Sequence, residues 1–407
     1  MKEFFQVLDI DAVLAFKERF ARMGIESVPL ADALGRVLAE DMVAPSDLPG
    51  FKRATMDGFA VRASSTFGAS ESNPAYLEMV GSVDMGKAPD FVVGPGQAAR
   101  IATGGMLPEG ADSVAMLEHT DKLDGNTVEV YRSLAPGQHM VAKDEDLARG
   151  RVMLSRGRLL RPQEIGLLAA IGQPAAAVFR CPRVGILSTG DEVVPCGTEP
   201  APGQVRDINS HTLAALVREA GARPMTYGIV SDRYEDLYAA FESALAGNDM
   251  VLVSGGSSVG TRDLTLDALA ALEQVRVLFH GVSIRPGKPT ILADFGGKAF
   301  WGLPGHVASA MVVFMVLVRP ILDHISGRLS RRRVPVKARL SRNLASAQGR
   351  VDFVRVRLSI QDNELRAEPI LGQSGLIRTL VEADGLVAIA MNSEGLEQGA
   401  WVDVMLF

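Results

Sequence analysis

RVGILSTGDE, residues 183–192, is the stretch that decides the fold class, because an apolar run of strand length ends there in a turn of small and acidic residues. The helical segment NSHTLAALVREAG, 209–221, follows, with Asn209 or Ser210 as its N-terminal cap and Gly221 as its stop. Another buried strand, DMVLVSGG, comes at 249–256. This alternation predicts an α/β domain over residues 183–327, in which helices cover both faces of a parallel sheet.

The segments on either side of this domain have other patterns. Apolar spacing predicts helix over residues 7–40 and again over RLLRPQEIGLLAAIG, 158–172. Between them the chain is rich in glycine, proline and short apolar runs, and its last 80 residues or so alternate as short strands. The predicted units are a discontinuous N-terminal helical domain, an inserted β-rich module, the α/β domain and a C-terminal β-barrel or sheet, at residues 1–44 with 147–182, 45–146, 183–327 and 328–407.

The composition excludes several classes of protein. A 407-residue chain with 47% hydrophobic residues and a net charge of -6 is typical of a globular protein of several domains, and nucleic acid is not an expected partner. The basic run RLSRRRV, 328–334, is therefore interpreted as a solvated linker. Cys181 and Cys196 lack the spacing of a zinc site or a disulfide framework.

No membrane association is expected either. The first twenty residues lack a signal-peptide pattern, which predicts a cytoplasmic protein. The apolar stretch VASAMVVFMVLV, 307–318, is shorter than the roughly 20 residues that a membrane-spanning helix needs. It is interpreted as a helix of the core.

Polar and glycine-rich loops follow the strands of the predicted sheet. Ligands of open parallel sheets bind outside the carboxyl ends of the strands, where such loops lead into helices. The sequence therefore predicts a ligand site on one rim of the sheet. Its loops are STGDE (188–192), VSDR (230–233), SGGSSVGTRD (254–263), RPGKP (285–289) and GLPGH (302–306).

The SGGSSVG loop has two interpretations. Small residues allow close approach of the backbone, and amides and hydroxyls donate to phosphate oxygens, so the loop is a candidate phosphate cradle. By itself it is equally well a tight turn between a strand and a helix. The ending of a P-loop and the spacing of a dinucleotide fingerprint are both missing, so neither an ATPase nor a dehydrogenase is indicated.

Cations and acids accompany these loops. Arg285 and Lys288 lie three residues apart in a segment stiffened by two prolines, which fixes both cations for an anion, unless they are ordinary solvated cations. The helix after GLPGH favours an anion near Ser309. Acids beside a phosphate need a divalent cation, a hydroxyl donor or a proton, and helix capping is the alternative for Asp232 and Glu192. Together these groups indicate a Mg²⁺-assisted reaction on a small molecule that carries phosphate.

The motifs MDGFA, IATGGMLPEGADSV, VGILSTGDEVVPCG, QVRDINSHTL, VLVSGGSSVGTRD, RPGKP and GLPGH occur in this order. Together they resemble the MoeA family of molybdopterin molybdenumtransferases over residues 10–405. The resemblance implies a four-part protomer, a homodimer with a shared active cleft, and contact with the molybdopterin adenylyltransferase. It also implies an activity: Mg²⁺-dependent insertion of molybdate into adenylylated molybdopterin, with release of AMP.

The resemblance assigns roles to residues at matching positions. The catalytic candidates are Asp57, Thr103, Asp146, Glu192, Asp232 and Asp263, of which Glu192 and Asp263 are the candidate Mg²⁺ ligands. The substrate-binding candidates are Ser254, Gly255, Gly256, Ser257, Ser258, Lys288 and Gly305. The molybdate-binding candidates are Arg285, Lys288, Pro289, Ser309, Arg355 and Ser374. Without the resemblance, the separation of Asp57 and Thr103 from the sheet favours turn residues, unless a partner subunit brings them to the rim.

The chain departs from the family pattern at four positions. His306 and Val307 stand where the family usually has Asn-Pro, Arg285 where it commonly has Lys, and Gly281 where a further lysine is often found. Two alternatives to the implied activity stay open at this point: a non-catalytic molybdopterin-binding or scaffolding paralogue, and a molybdopterin adenylyltransferase.

Overall fold

A six-stranded sheet forms the centre of the α/β domain in the computed structural model, which describes residues 7–255, 264–329 and 334–407. Four neighbouring strands are parallel, and the last two run antiparallel to their neighbours. The three inner parallel strands are rich in apolar residues and buried on both faces, whereas the edge strand Arg223–Val230 is partly exposed. In spatial order the strands are Arg223–Val230, Arg183–Thr189, Met250–Ser254, Lys298–Leu303, Ile291–Phe295 and Val275–His280.

Helices cover both faces of this sheet, which confirms the predicted fold class. On one face the core contains residues of helix Asn209–Glu219 and of the helical run 307–325. On the other face helices Tyr234–Gly247 and Leu264–Ala270 bury their apolar sides. Phe241 and Phe300 meet there edge to face, with their ring centroids 5.0 Å apart.

The helical run 307–325 consists of Val307–Val313, a π-helical turn Phe314–Val318 and Arg319–Ile325. Its 19 residues, with a mean hydropathy of 1.7, pass a length and composition test for a membrane span. However, 61% of it is buried within the protein, and its apolar residues join the core beneath the sheet. The packing agrees with the prediction of a core helix.

The prediction of helix over residues 7–40 is wrong beyond Arg19. Helix Ile10–Ala15 and the 3₁₀ turn Phe16–Arg19 are followed by strand Ile25–Pro29, which pairs antiparallel with Ala175–Phe179. Helix Pro162–Ala170 forms within the predicted stretch 158–172. The remaining elements of this region are a 3₁₀ turn at Leu30–Asp32 and the paired strands Met42–Val43 and Val152–Leu154.

The first helix also packs away from its predicted unit. Val13 and Phe20 are fully buried among core residues of the α/β domain rather than with those of the helix Pro162–Ala170. The N-terminal segment therefore stabilises the sheet domain, while the domain boundaries proposed above stay predictions.

The inserted module is β-rich, as predicted. Two apolar clusters fill the opposite faces of one six-stranded sheet. Its strands, in spatial order, are Ser113–Met116, Gly58–Val61, Gln97–Ile101, Ala75–Ser82, Thr127–Val130 and Thr120–Lys122. Its smaller elements are the 3₁₀ turns Ala63–Thr66 and Leu117–His119 and the strand pair Arg53–Ala54 with Met140–Val141.

The C-terminal domain is a closed barrel of five strands, and Val351–Gln361 closes it by pairing with Gly385–Ile389. The strands are Val336–Leu340, Val351–Gln361, Glu364–Pro369, Gly385–Ile389 and Trp401–Leu406, with a helical turn at Arg378–Val381 and a strand pair Leu344–Ala345 with Gly395–Leu396. Strand Ile284–Arg285 of the α/β domain pairs in parallel with the beginning of Val351–Gln361. This pairing ties the RPGKP loop to the barrel.

Candidate functional site

The carboxyl ends of the parallel strands surround a cleft of about 780 Å³, here called the rim cleft. Its lining includes six of the predicted site residues, which are Glu192, Asp232, Ser254, Gly255, Pro289 and Gly305. Gly255 has a φ of +100°, and a Cβ there would lie 2.3 Å from the carbonyl oxygen of Thr189. Only glycine fits at this point, because both the backbone conformation and the space exclude a side chain.

Sequence reasoning missed a buried polar group at the floor of the rim cleft. Ser188 Oγ donates to Asp207 Oδ1 at 2.9 Å and lies 3.3 Å from Ser254 Oγ. Asp207 Oδ1 also accepts from the backbone nitrogen of Ser210 at 3.1 Å. The prediction that Asn209 or Ser210 caps the helix is therefore wrong, because Asp207 supplies the oxygen.

Asn209 lies buried beside this group. Its Nδ2 donates to the carbonyl oxygen of Gly305 at 2.7 Å, which joins the helix entrance to the GLPGH loop. The motif QVRDINSHTL contains both Asp207 and Asn209, but nothing in their spacing separates a cap from a group that faces a ligand.

Two acids, Glu192 and Asp232, line the rim cleft, and Asp191 lies next to them. Burial raises the pKa of Asp232, and the negative charges of Asp191 and Glu192 raise it further. The backbone nitrogen of Asp232 donates to Asp191 Oδ1 at 3.1 Å. Asp232 does not cap the following helix, since Arg233 precedes Tyr234 without any side-chain cap. Within the described ranges, no three acidic, histidine or cysteine side chains converge as a metal site.

A second cleft of about 1080 Å³, here called the oxyanion cleft, lies between the α/β domain and the barrel. All six predicted molybdate-binding residues line it: Arg285, Lys288, Pro289, Ser309, Arg355 and Ser374. The two clefts adjoin, because Pro289, Pro304 and His306 line both. The structure therefore brings together residues that are up to 89 positions apart in the chain.

The RPGKP loop presents its cations to the oxyanion cleft from a constrained backbone. Gly287 has a φ of +118°, and a Cβ there would lie 2.5 Å from Val313 Cγ2. Arg285 Nη1 lies 3.6 Å from Oδ2 of Asp352, a buried carboxylate that also accepts from Arg350 Nε at 2.8 Å. The side chain of Arg285 is nevertheless 63% exposed, so it is accessible to an anion.

The barrel supplies the opposite wall. Arg355 donates to Thr379 Oγ1 at 2.5 Å and to the carbonyl oxygen of Gly372 at 2.6 Å, and its burial lowers the pKa of its guanidinium. Ser374 Oγ lies 2.8 Å from Nδ1 of His306, and Ser309 is buried in the first turn of the helical run. Hydroxyl and guanidinium groups from two domains therefore face the same space.

Asp57 and Thr103 are bound to each other rather than to either cleft. Asp57 Oδ1 accepts from the backbone nitrogen of Thr103 at 2.7 Å and from its hydroxyl at 2.8 Å, and these bonds lower the pKa of Asp57. Both residues are exposed, as is Asp146. None of the three lines the rim cleft or the oxyanion cleft of its own chain.

Four predicted site residues lie outside the described part of the chain, and Gly281 lies away from both clefts. Gly256, Ser257, Ser258 and Asp263 lie outside the described residues, so their roles stay predictions. Gly281 is buried, and its backbone bonds with Leu8 and Thr290. It lines neither cleft.

Comparison with known proteins identifies the same architecture. Residues 8–172 match the MoeA N-terminal region (domain I and II), 185–324 a "probable molybdopterin binding domain", and 337–407 the MoeA C-terminal region (domain IV). A molybdopterin molybdenumtransferase of Bacillus subtilis is 34% identical over 94% of this chain and 89% of its own. One of Nostoc sp. is 34% identical over 93% and 88%.

A solved structure supports this relationship in three dimensions. The molybdopterin biosynthesis MoeA protein of Pyrococcus horikoshii OT3 matches with a TM-score of 0.84 and 31% identity, over 99% of this chain and 100% of that one. With relatives above 30% identity that are covered almost from end to end, and with all regions matched in order, the chain belongs to the MoeA family.

Proposed function

We propose that this protein is a molybdopterin molybdenumtransferase, which inserts molybdate into adenylylated molybdopterin and releases AMP in a Mg²⁺-dependent reaction. The observation that carries the proposal is the adjacency of the two clefts. A cation-rich cleft built by two domains opens directly beside a cleft at the carboxyl ends of a parallel sheet, and three residues line both. The names of the curated relatives supply the reaction that fits this pair of sites.

The oxyanion cleft suits a small dianion. Arg285 and Lys288 contribute positive charge on one wall, and Arg355 contributes it on the other. Ser309 and Ser374 add hydroxyl groups that can donate to oxygen atoms. Cations and hydroxyls held by a rigid loop and a barrel bind and orient molybdate without exchanging protons with it.

The rim cleft suits the organic substrate. Gly255 and Gly305 leave room for close approach, while Ser188, Asp207 and Ser254 form a linked set of polar atoms at its floor. With Lys288 beside the junction, a pterin that carries phosphate binds with its dithiolene directed towards the oxyanion cleft. No covalent nucleophile is required, because the enzyme acts by placing two substrates side by side.

Mg²⁺ fits the acidic side of the rim cleft. Burial raises the pKa of Asp232 most, and the negative charges of Asp191 and Glu192 raise it further; a bound cation would offset this part of the shift. The residues proposed to hold the ion are Glu192 and Asp263, of which only Glu192 lies within the described part of the chain. When bound, Mg²⁺ supplies positive charge where negative charge develops on the departing phosphate.

We propose a homodimer as the active form. Asp57, Thr103 and Asp146 are exposed and line neither cleft of their own chain, so their catalytic role needs a second subunit that brings them to a cleft. A shared cleft between the α/β domain of one subunit and the first two units of the other meets this need. We also propose that the protein receives its adenylylated substrate by contact with the adenylyltransferase. Its proposed location is the cytoplasm.

The test is an insertion assay with the full-length protein, adenylylated molybdopterin, molybdate and Mg²⁺. We expect AMP and active cofactor in equal amounts, with the cofactor measured by reconstitution of an apo-molybdoenzyme. Tight substrate binding without AMP or cofactor would support a scaffolding paralogue instead. ATP-dependent adenylylation of molybdopterin would support an adenylyltransferase.

A further inference from the structure

His306 joins the α/β domain to the barrel through Ser374. His306 directly precedes the helix Val307–Val313, but its side chain does not cap that helix. Instead its Nδ1 lies 2.8 Å from Ser374 Oγ, and the backbone nitrogen of Ala308 donates to the carbonyl oxygen of Ser374 at 3.0 Å. Ser374 is therefore held at both its backbone and its hydroxyl by the entrance of one helix.

This contact lies at the junction of the two clefts. His306 lines both clefts, while Ser374 lines only the oxyanion cleft. The neighbouring Gly375 lines the rim cleft, and a Cβ on it would lie 3.8 Å from the His306 ring. The imidazole therefore contacts the Ser374 hydroxyl where the two clefts meet.

The direction of this hydrogen bond decides what Ser374 offers to an anion. A hydroxyl has a single hydrogen. If Nδ1 accepts that hydrogen, Ser374 presents lone pairs to the cleft and repels an oxyanion. If Nδ1 carries a proton and donates, the Ser374 hydrogen is free for the oxyanion. The charged imidazolium always donates from Nδ1 and adds a positive charge nearby.

We propose that His306 is a positioning residue that sets the direction of the Ser374 hydroxyl and so makes oxyanion binding stronger when the imidazole is protonated. This inference rests on the proposed function of the oxyanion cleft and adds a pH dependence to it. An asparagine at position 306 can turn its amide donor towards Ser374 at any pH, so His306→Asn gives a matched variant without a titrating group.

Other charged groups face His306 across both clefts. Those of the oxyanion cleft are Arg285, Lys288, Arg350, Asp352 and Arg355, and those of the rim cleft are Glu192, Arg206, Asp207 and Asp232. Carboxylates, lysines and arginines ordinarily titrate outside about pH 6–8, where histidine titrates. Asp232 needs a control because its pKa is raised, and Asp232→Asn supplies one.

The experiment is calorimetric titration of the full-length protein with molybdate alone between pH 6 and pH 8, on wild type, His306→Asn, Ser374→Ala and the double variant. From pH 8 to pH 6 we expect wild-type affinity to rise by about three- to tenfold, and that of His306→Asn to stay level. Asp232→Asn should keep the wild-type dependence. Thermal melts of each variant show whether it is folded.

Three outcomes decide between the possibilities. The same pH dependence in wild type and His306→Asn would overturn this inference and leave the proposed function intact. An effect of His306→Asn that is undiminished in the Ser374→Ala background would overturn the role of Ser374, since coupled residues must be non-additive. Absence of molybdate binding to the wild-type protein would overturn the proposed function and this inference together.

Discussion

Arg285 Nη1 lies 3.6 Å from Oδ2 of Asp352, so a buried carboxylate of the barrel holds the exposed cation of the RPGKP loop. The same two residues are register partners in the strand pair that joins the two domains. The geometry of the oxyanion cleft therefore depends on docking of the barrel against the α/β domain.

Removal of the loop cation should weaken molybdate binding. We expect Arg285→Ala to raise the molybdate concentration for half-maximal turnover by roughly ten- to a hundredfold, as for loss of a hydrogen bond to a charged group. The measurement is a molybdate dose-response curve of AMP release. Arg218→Ala, at the far end of helix Asn209–Glu219 from the rim, is the matched control. An unchanged curve for Arg285→Ala would argue against an oxyanion role.

Removal of the partner carboxylate should destabilise the protein. Asp352→Asn leaves Arg285 and Arg350 without their buried acceptor charge, and we expect the free energy of unfolding to fall by about 1–3 kcal/mol. Urea denaturation measures this loss. Asp362→Asn is the control, because its pair with Arg366 is exposed and such pairs contribute roughly 0–1 kcal/mol. Equal effects of the two substitutions would show that Asp352 does not stabilise the docking of the domains.

Glu164 should make stability depend on acid pH. Hydrogen bonds from Arg161 first, and then from Arg158, lower the pKa of the buried Glu164 from 4.5 to about 2. A folded-state pKa below the unfolded value gives stability that is fully present above about pH 4.5 and is lost as pH falls towards 2.

We therefore expect Glu164→Gln to lower the free energy of unfolding by about 1–3 kcal/mol at pH 7, with a smaller difference at pH 3. Denaturation curves of both proteins at each pH measure it. A difference that is the same at both pH values would contradict the lowered pKa.

Complementation should reveal a shared cleft. At a molybdate concentration far below the half-maximal value for Arg285→Ala, this variant and Asp57→Ala are each expected to be nearly inactive. Random association of the two makes half of the molecules mixed dimers, and each mixed dimer contains one intact site. Coexpression should therefore recover about a quarter of wild-type activity. A mixture of Asp57→Ala with Thr103→Ala, both in the same module, should recover none. If the first pair also fails to complement, the cleft is not shared in the proposed way.

Secondary structure was predictable from the sequence where the pattern of apolar residues within a segment determines the element that the segment forms. The inner strands of the parallel sheet are recognisable as continuous apolar runs of strand length, and helix Pro162–Ala170 is recognisable by the helical spacing of its apolar residues. Strand Ile25–Pro29 was not, because it is stabilised by pairing with Ala175–Phe179, about 150 positions away. Apolar spacing within residues 7–40 carries no information about such a partner.

In the candidate site, too, some contacts were predictable from the sequence and others were not. Loops after parallel strands meet on one rim by topology, so the approach of Glu192, Asp232 and Ser254 was predictable. The contacts of His306 with Ser374 and of Arg285 with Asp352 depend on how the barrel docks, which no spacing specifies. The buried pair Ser188 and Asp207 was missed because a ligand-facing acid and a helix cap look alike in sequence.

In the proposed reaction molybdate insertion and AMP release are coupled, and the decisive measurement is AMP release with and without molybdate. With adenylylated molybdopterin and Mg²⁺ present, we expect AMP to appear only when molybdate is added, in an amount equal to the cofactor formed. Release of AMP at the same rate without molybdate, or no release at any molybdate concentration, would contradict the account.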